Sequence, residues 1–150
     1  MSNKKKELQE KHNFHYAIVA VSDWQKGAIA SAAGLDDNML LSLTKEKIKL
    51  TEYPIVIKGL DALTTVKKID ADVSVELLFT NLKNGEPSAS YCTAALQKGL
   101  HVLTSNKGPV ALFFHELKEL AEAQHLFFGF EGTVMSGTPV LKTILKNLAG

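Results

Sequence analysis

Apolar residues in this chain follow two spacings, and the two alternate along its length. Residues 4–12 carry Leu8 among charges and predict a helix. The segment from His15 to Ser22 holds the apolar run Tyr16-Ala17-Ile18-Val19-Ala20-Val21, rich in β-branched residues. It predicts a buried strand closed by Asp23. Residues 24–34 are small and polar and suit a loop. Residues 35–43 predict a short helix, with Asp36 and Asp37 near its positive end. Residues 53–57 read as a minor strand. Asp61 begins a helix with Leu63, Val66 and Ile69 at helical spacing.

The second half repeats the pattern more regularly. Residues 72–78 predict a strand. Glu86-Pro87 starts a helix through Tyr91, Ala94, Ala95 and Leu96, which stops at Gly99. Residues 101–104 predict a strand, and Gly108-Pro109 opens a helix carrying Leu112, Phe113, Leu117, Leu120 and Ala121. Residues 126–130 predict a further strand. Thr138-Pro139 opens a last helix with Leu141, Ile144, Leu145 and Leu148 as its apolar stripe. Strands alternating with helices imply an α/β domain built on a mostly parallel sheet. The chain holds 150 residues, enough for one domain, and no linker divides it.

Composition narrows the function classes. Apolar residues make up 45% and charged residues 22%, ordinary values for a globular chain, which excludes a disordered or fibrous one. The formal net charge of +1 leaves no basic field for a phosphate backbone, so no nucleic-acid partner is expected. The run Lys4-Lys5-Lys6 is followed by Glu7 and Glu10 and reads as a solvated helix face. With one cysteine, Cys92, no intramolecular disulfide can form; a reducing, cytoplasmic location and a buried, inert thiol are expected. No signal peptide and no apolar run of membrane-spanning length are read, so no membrane partner is expected. The five histidines lack metal-ligand spacing.

Candidate chemistry gathers after the strands of the second half. In open parallel sheets, ligands collect at the carboxyl ends of the strands. Residues 79–87, 104–109 and 131–139 each follow a predicted strand. Each is polar, bears glycine and leads into a helix with an early proline. Helix N-termini there would aim backbone N–H groups at a common crevice and favour an anionic ligand, with Lys107 adding a positive charge. Taken singly, each loop is also what a plain turn and cap would look like. Three on one edge point to a ligand site.

These loops carry a family resemblance. Glu76 is followed by Leu78-Phe79-Thr80-Asn81 and Gly85-Glu86-Pro87. Thr104-Ser105-Asn106-Lys107-Gly108-Pro109 comes next, and then Glu131-Gly132-Thr133-Val134-Met135-Ser136-Gly137-Thr138-Pro139. In order and spacing, residues 71–150 resemble the nucleotide-binding domain of the homoserine dehydrogenases, and residues 4–70 match it more weakly. The resemblance implies a Rossmann-like, doubly wound α/β fold. It implies NAD(P)-dependent interconversion of L-homoserine and L-aspartate 4-semialdehyde, in threonine, methionine and isoleucine synthesis. It also implies residue roles. Lys107 would contact the dinucleotide near the reacting carbon, as the candidate catalytic residue of this stretch. Thr80 and Ser105 would lie along the cofactor. Leu78 stands where the family has a cofactor-touching threonine, whose hydrogen bond leucine cannot make. Asp23 would accept from the adenosine ribose and repel the extra phosphate of NADP, with Lys26 partly offsetting that repulsion. A plain turn-forming role for Asp23 is the equal alternative. Glu131, Val134, Ser136 and Thr138 match the family's site for sodium or potassium, oxygen ligands suiting a hard cation. Ser136 stands where the family often has glycine, and Glu131 could instead cap or pair within the fold.

The resemblance further implies an opening strand with a Gly-x-Gly-x-x-Gly turn before Lys4, and a substrate-binding, dimerising region after Gly150. The expectation is therefore a partial NAD(P)-binding domain over 1–150, truncated at its first strand. It would meet a nicotinamide dinucleotide, with the amino-acid substrate and self-association belonging to the complete enzyme. Alone it would turn over homoserine poorly or not at all. The alternative is a non-catalytic remnant or interaction module that keeps the half-fold.

Overall fold

The computed structural model describes residues 4–147, which form two compact units divided after Asp70. The first holds α1 (Lys5–His12), β1 (Ile18–Asp23), β2 (Gly27–Leu35), α2 (Asp37–Lys45), β3 (Ile57–Lys58) and α3 (Ala62–Lys68). The second holds β4 (Val73–Glu76), α4 (Ser88–Gln97), β5 (His101–Thr104), α5 (Lys107–Ala123), β6 (Phe128–Gly129) and α6 (Val140–Asn147). The chain is α/β, as expected. Among the described residues, no helix is long and apolar enough to cross a membrane.

The first unit contains an antiparallel sheet in the order β1-β2-β3. Its central strand, β2, occupies the segment expected to be a loop. Small residues have little strand propensity of their own. Here the tertiary context decides, because a middle strand with Ala28, Ile29 and Ala30 buried has room for little else. The turn from β1 into β2 is set by Asp23, whose Oδ1 accepts from the Gln25 and Lys26 N–H groups at 2.8 and 2.7 Å. The core packs Ile29, Leu35, Leu43, Leu50 and Tyr53 with Ile18, Val21, Leu40, Ile48 and Val56 around them. Asp36 caps α2 by accepting from Met39 N–H at 2.7 Å, and Asp61 caps α3 through Thr64 N–H at 2.8 Å. The strand expected at residues 53–57 shrinks to Ile57–Lys58.

The second unit is built on a parallel sheet in the order β4-β5-β6. Strand alternation gives it two unlike faces. Glu76, Val102 and Thr104 are buried, whereas Val73, Val75 and Leu103 of the other face are exposed. α4 and α5 pack against each other, and their buried residues include Cys92, Ala95, Leu96, Leu117 and Ala121. α5 kinks at Phe113, whose φ of −131° leaves the helical range. The strand expected over residues 126–130 is only Phe128–Gly129. Of the last helix, Leu148 lies outside the described residues.

Candidate functional site

The three parallel strands end together because parallel pairing sends every carboxyl end to one edge. Register makes Glu76 and Thr104 direct neighbours on the buried face. Thr104 Oγ1 donates to Glu76 Oε2 at 2.7 Å. Glu76 Oε1 accepts from Leu78 N–H at 2.8 Å, Ser88 Oγ at 3.0 Å and Asn106 Nδ2 at 3.3 Å. Glu76, Ser88, Thr104 and Asn106 are all buried. One helical turn beyond Ser88 lies Cys92, whose thiol burial and the Glu76 charge push up to about 12. At neutral pH it is a protonated, inert side chain, as expected.

This buried cluster organises the exposed loops above it. Asn106 Nδ2 also lies 3.1 and 3.4 Å from the Leu78 and Phe79 carbonyls, and its two hydrogens, shared among these carbonyls, Glu76 and Ser88, clip the loop after β4 to the start of α5. Asn106 Oδ1 accepts from Gly108 N–H at 3.0 Å and caps that helix. Lys107 N–H donates to Thr80 Oγ1 at 3.3 Å. Two glycines permit the close approach. Gly85 has φ +70°, and a Cβ on it would stand 3.1 Å from the Phe113 ring and 3.2 Å from the Gly108 carbonyl; one on Gly108 would meet Gly85 at 3.0 Å.

Leu78, Thr80, Ser105 and Lys107 are thereby brought to one edge, with Ser105 and Lys107 exposed. Leu78 contributes backbone only to this network, through its N–H and carbonyl. The Lys107 ammonium has no ion-pair or hydrogen-bond partner among the described residues. The helix ends differ from expectation, since most of their N–H groups are satisfied within the protein. In α5, Lys107 and Gly108 N–H are taken by Thr80 and Asn106, and Pro109 has none. In α4, Ala89 N–H goes to the Gly85 carbonyl and Ser90 N–H to Glu86 Oε2. Any attraction for an anion here would rest on the helix dipole and the Lys107 charge more than on free donors.

The third loop touches the second. A Cβ on Gly132 would lie 3.3 Å from Ser105 Cβ. Glu131 is half-buried in a short 3-10 turn, and its Oε1 accepts from Lys142 N–H at 3.3 Å in the first turn of α6. Val134, Ser136 and Thr138 are exposed, and Met135 and Ser136 both have φ +52°. The Thr138 carbonyl accepts from Val140 N–H at 2.8 Å. Among the described residues, no cluster of three His, Cys, Asp or Glu could hold a metal ion.

Asp23 belongs to the first unit. Its Oδ1 serves the turn, and its Oδ2 has no hydrogen bond or ion pair among the described residues. The Lys26 ammonium reaches the Thr44 carbonyl at 3.5 Å and makes no ion pair with Asp23. The same unit holds an open depression of about 560 Å³ bordered by Lys5, Lys6, Gln9 and Asp37. Its buried carboxylate is engaged on one side, with Asp37 Oδ2 accepting from Tyr16 at 2.8 Å and pairing with Lys5 at 3.4 Å, whereas Oδ1 is buried with no hydrogen-bond partner among the described residues. Burial, and then Asp37, push the Tyr16 hydroxyl above its ordinary range.

Ser88 and Thr104 were not singled out from the sequence as site residues. The available signal was polar residues at strand-end and helix-start positions on the buried face.

Comparison with known proteins bears on family and fold. No protein-family model matches the chain. The NAD(+)-dependent homoserine dehydrogenase of Pseudomonas canavaninivorans is 42% identical over 139 residues, 91% of this chain and 39% of that protein. The homoserine dehydrogenase of Methanocaldococcus jannaschii is 31% identical over 146 residues, 97% of this chain and 43% of that protein. A hyperthermophilic archaeal homoserine dehydrogenase mutant, solved in complex with NADPH, superposes with TM-score 0.75 over 97% of this chain and 44% of its own, at 23% identity. That last likeness speaks for the fold. In sequence and fold, then, the chain is a homologue of the homoserine dehydrogenases, spanning about two fifths (39% and 43%) of the length of the curated relatives it matches.

Proposed function

We propose that this chain supplies the nicotinamide-dinucleotide-binding part of a homoserine dehydrogenase, which interconverts L-homoserine and L-aspartate 4-semialdehyde. The observation that carries the reading is the bond from Lys107 N–H to Thr80 Oγ1, which sets Thr80, the exposed Ser105 and the exposed, unpaired Lys107 at the carboxyl edge of a parallel sheet. An exposed cation and hydroxyl side chains on one edge suit an anionic, hydroxyl-rich ligand. The bound nicotinamide would supply hydride transfer. Lys107 would bind and orient it from the second unit, with Thr80 and Ser105 along it and Leu78 contributing backbone.

Within the first unit, Asp23 Oδ2 is the acceptor offered to ribose hydroxyls. Among the described residues no lysine pairs with it, which favours NAD over NADP, and the 42%-identical relative is NAD(+)-dependent. For a sodium or potassium ion, the proposed oxygen donors are Glu131 and the carbonyls of Val134, Ser136 and Thr138. Glu131 Oε1 and the Thr138 carbonyl already accept N–H groups, so Glu131 Oε2 and the other two carbonyls are the freer donors.

Calorimetric titration of the purified chain with NADH and NADPH tests the reading. The expected result is saturable binding, tighter for NADH, that Lys107→Ala weakens about tenfold or more, as loss of a charge-assisted contact implies. A folded chain that binds neither dinucleotide would overturn it and favour a non-catalytic interaction module.

A further inference from the structure

Glu76 is a carboxylate 6% exposed, at the end of β4, in a place where an apolar side chain of its size would pack. Burying a carboxylate is costly unless its oxygens are fully engaged. Its surroundings meet that condition in one direction only. Ser88 Oγ already accepts from Asn106 Nδ2 at 2.9 Å, and Thr104 Oγ1 already accepts from Asn106 N–H at 2.9 Å. Each hydroxyl proton is therefore left for Glu76. Leu78 N–H and Asn106 Nδ2 can only donate as well. Every partner of Glu76 is a donor, and Glu76 accepts from all of them.

The candidate ligand-binding residues hang from this cluster at short range. Thr80 is two residues beyond Leu78, Ser105 follows Thr104, and Lys107 follows Asn106. Asn106 has its amide orientation chosen by the same network. With Nδ2 held toward Glu76 and Ser88, Oδ1 is turned to the Gly108 N–H that starts α5. We infer that Glu76 is a positioning residue: without touching a ligand, it acts through Thr104, Asn106 and Ser88 to set the Thr80 loop and the Lys107 helix start in their binding geometry. The binding half of this inference rests on the dinucleotide reading above; the geometric half does not.

Glu76→Gln isolates the effect, because it keeps size and removes one acceptor. With its NH2 at the Oε1 position, it faces the donors Leu78, Ser88 and Asn106. With its NH2 at the Oε2 position, Thr104 Oγ1 must accept twice, and its own proton loses its buried acceptor. Either way one buried donor is unpaired. The experiment compares 1H–15N spectra, amide exchange and NADH titration for wild type and Glu76→Gln. Leu117→Ala serves as a control that loses core packing in the same unit. The expected result is displaced amide signals for Leu78, Asn106, Lys107 and Gly108 in Glu76→Gln, with exchange there and the NADH Kd both raised about tenfold. Leu117→Ala, at temperatures where it is folded, leaves those signals and that Kd as in wild type.

A folded Glu76→Gln with wild-type Lys107 and Gly108 signals, or with wild-type NADH affinity, overturns the inference and leaves the dinucleotide reading intact. If wild type itself binds no NADH, that reading fails, and the amide comparison decides the inference. Should Glu76→Gln not fold, Thr104→Val and Thr104→Ser take its place. Valine is expected to displace the Asn106 to Gly108 signals and serine to restore them. Signals unmoved by valine overturn the inference.

Discussion

The two units differ in how polar side chains serve their turns, although the first also holds long-range polar contacts at Asp37 to Tyr16 and Lys5. In the first, each short-range polar contact closes a local feature. Asp23 folds the hairpin turn, while Asp36 and Asp61 cap the helices that follow them. In the second, Glu76 reaches residues up to 30 positions away and joins two loops and two helix starts. The cause is strand direction. Antiparallel neighbours place successive turns at opposite ends of a sheet, so each turn must satisfy itself. Parallel neighbours send every exit loop to the same edge, where the loops can satisfy one another. A shared network can then hold exposed groups such as Lys107 and Ser105 in place, which a set of self-contained turns cannot.

The largest effect that sharpens this contrast lies in the core of the second unit, outside the shared network. Leu117 is 1% exposed, between α5 and the rest of the second unit. Leu117→Ala is expected to cost about 2–5 kcal/mol of stability, read by urea unfolding. A loss below about 1 kcal/mol would mean that packing at Leu117 does not hold α5 on the second unit.

A smaller effect is expected where two loops meet. Gly85→Ala places a Cβ 3.1 Å from the Phe113 ring and 3.2 Å from the Gly108 carbonyl, on a backbone of φ +70°. It should cost about 1–2 kcal/mol from the left-handed backbone alone, and move the Lys107 and Gly108 amide signals. If stability falls but those signals stay in place, Gly85 is only a turn residue and the loops are not coupled through it.

The smallest effect belongs to a self-contained cap. Asp61 accepts from the Thr64 hydroxyl and N–H, and these bonds hold its carboxyl below the ordinary value of 3.8. A depressed folded pKa means its contribution is present above the unfolded value and is lost as pH falls through the lower folded one. Asp61→Ala should remove that acid-side dependence and loosen amide protection at the start of α3 alone. A change reaching the Leu78 and Lys107 amides would break the contrast between local and shared polar contacts.

Much of the architecture was legible before any coordinates. The strand at residues 101–104 was legible at its observed bounds, and α2, α3 and α5 begin within two residues of where Leu35, Asp61 and Gly108-Pro109 put them, but the Asn106 cap on α5 was not read. β2 was not legible, because Gly27–Leu35 is rich in alanine and glycine, and its burial arises only from lying between β1 and β3. The loops of the candidate site were legible as polar, glycine-bearing segments after strands. Their internal wiring was not. Nothing local to Ser88 or Thr104 tells that their hydroxyls meet one carboxylate 12 and 28 residues away.

The sequence by itself determined the α/β character, the order of most elements, and the motifs whose likeness to the homoserine dehydrogenases the comparisons bear out. It could do so because periodicity, caps and motifs are written in neighbouring residues. Only the tertiary structure decided that residues 27–35 form a central strand and that most helix-start N–H groups are used internally. Only it decided that Glu76, Ser88, Thr104 and Asn106 form one buried acceptor-and-donor set. These outcomes depend on register and packing between segments far apart in the chain, which no local pattern encodes.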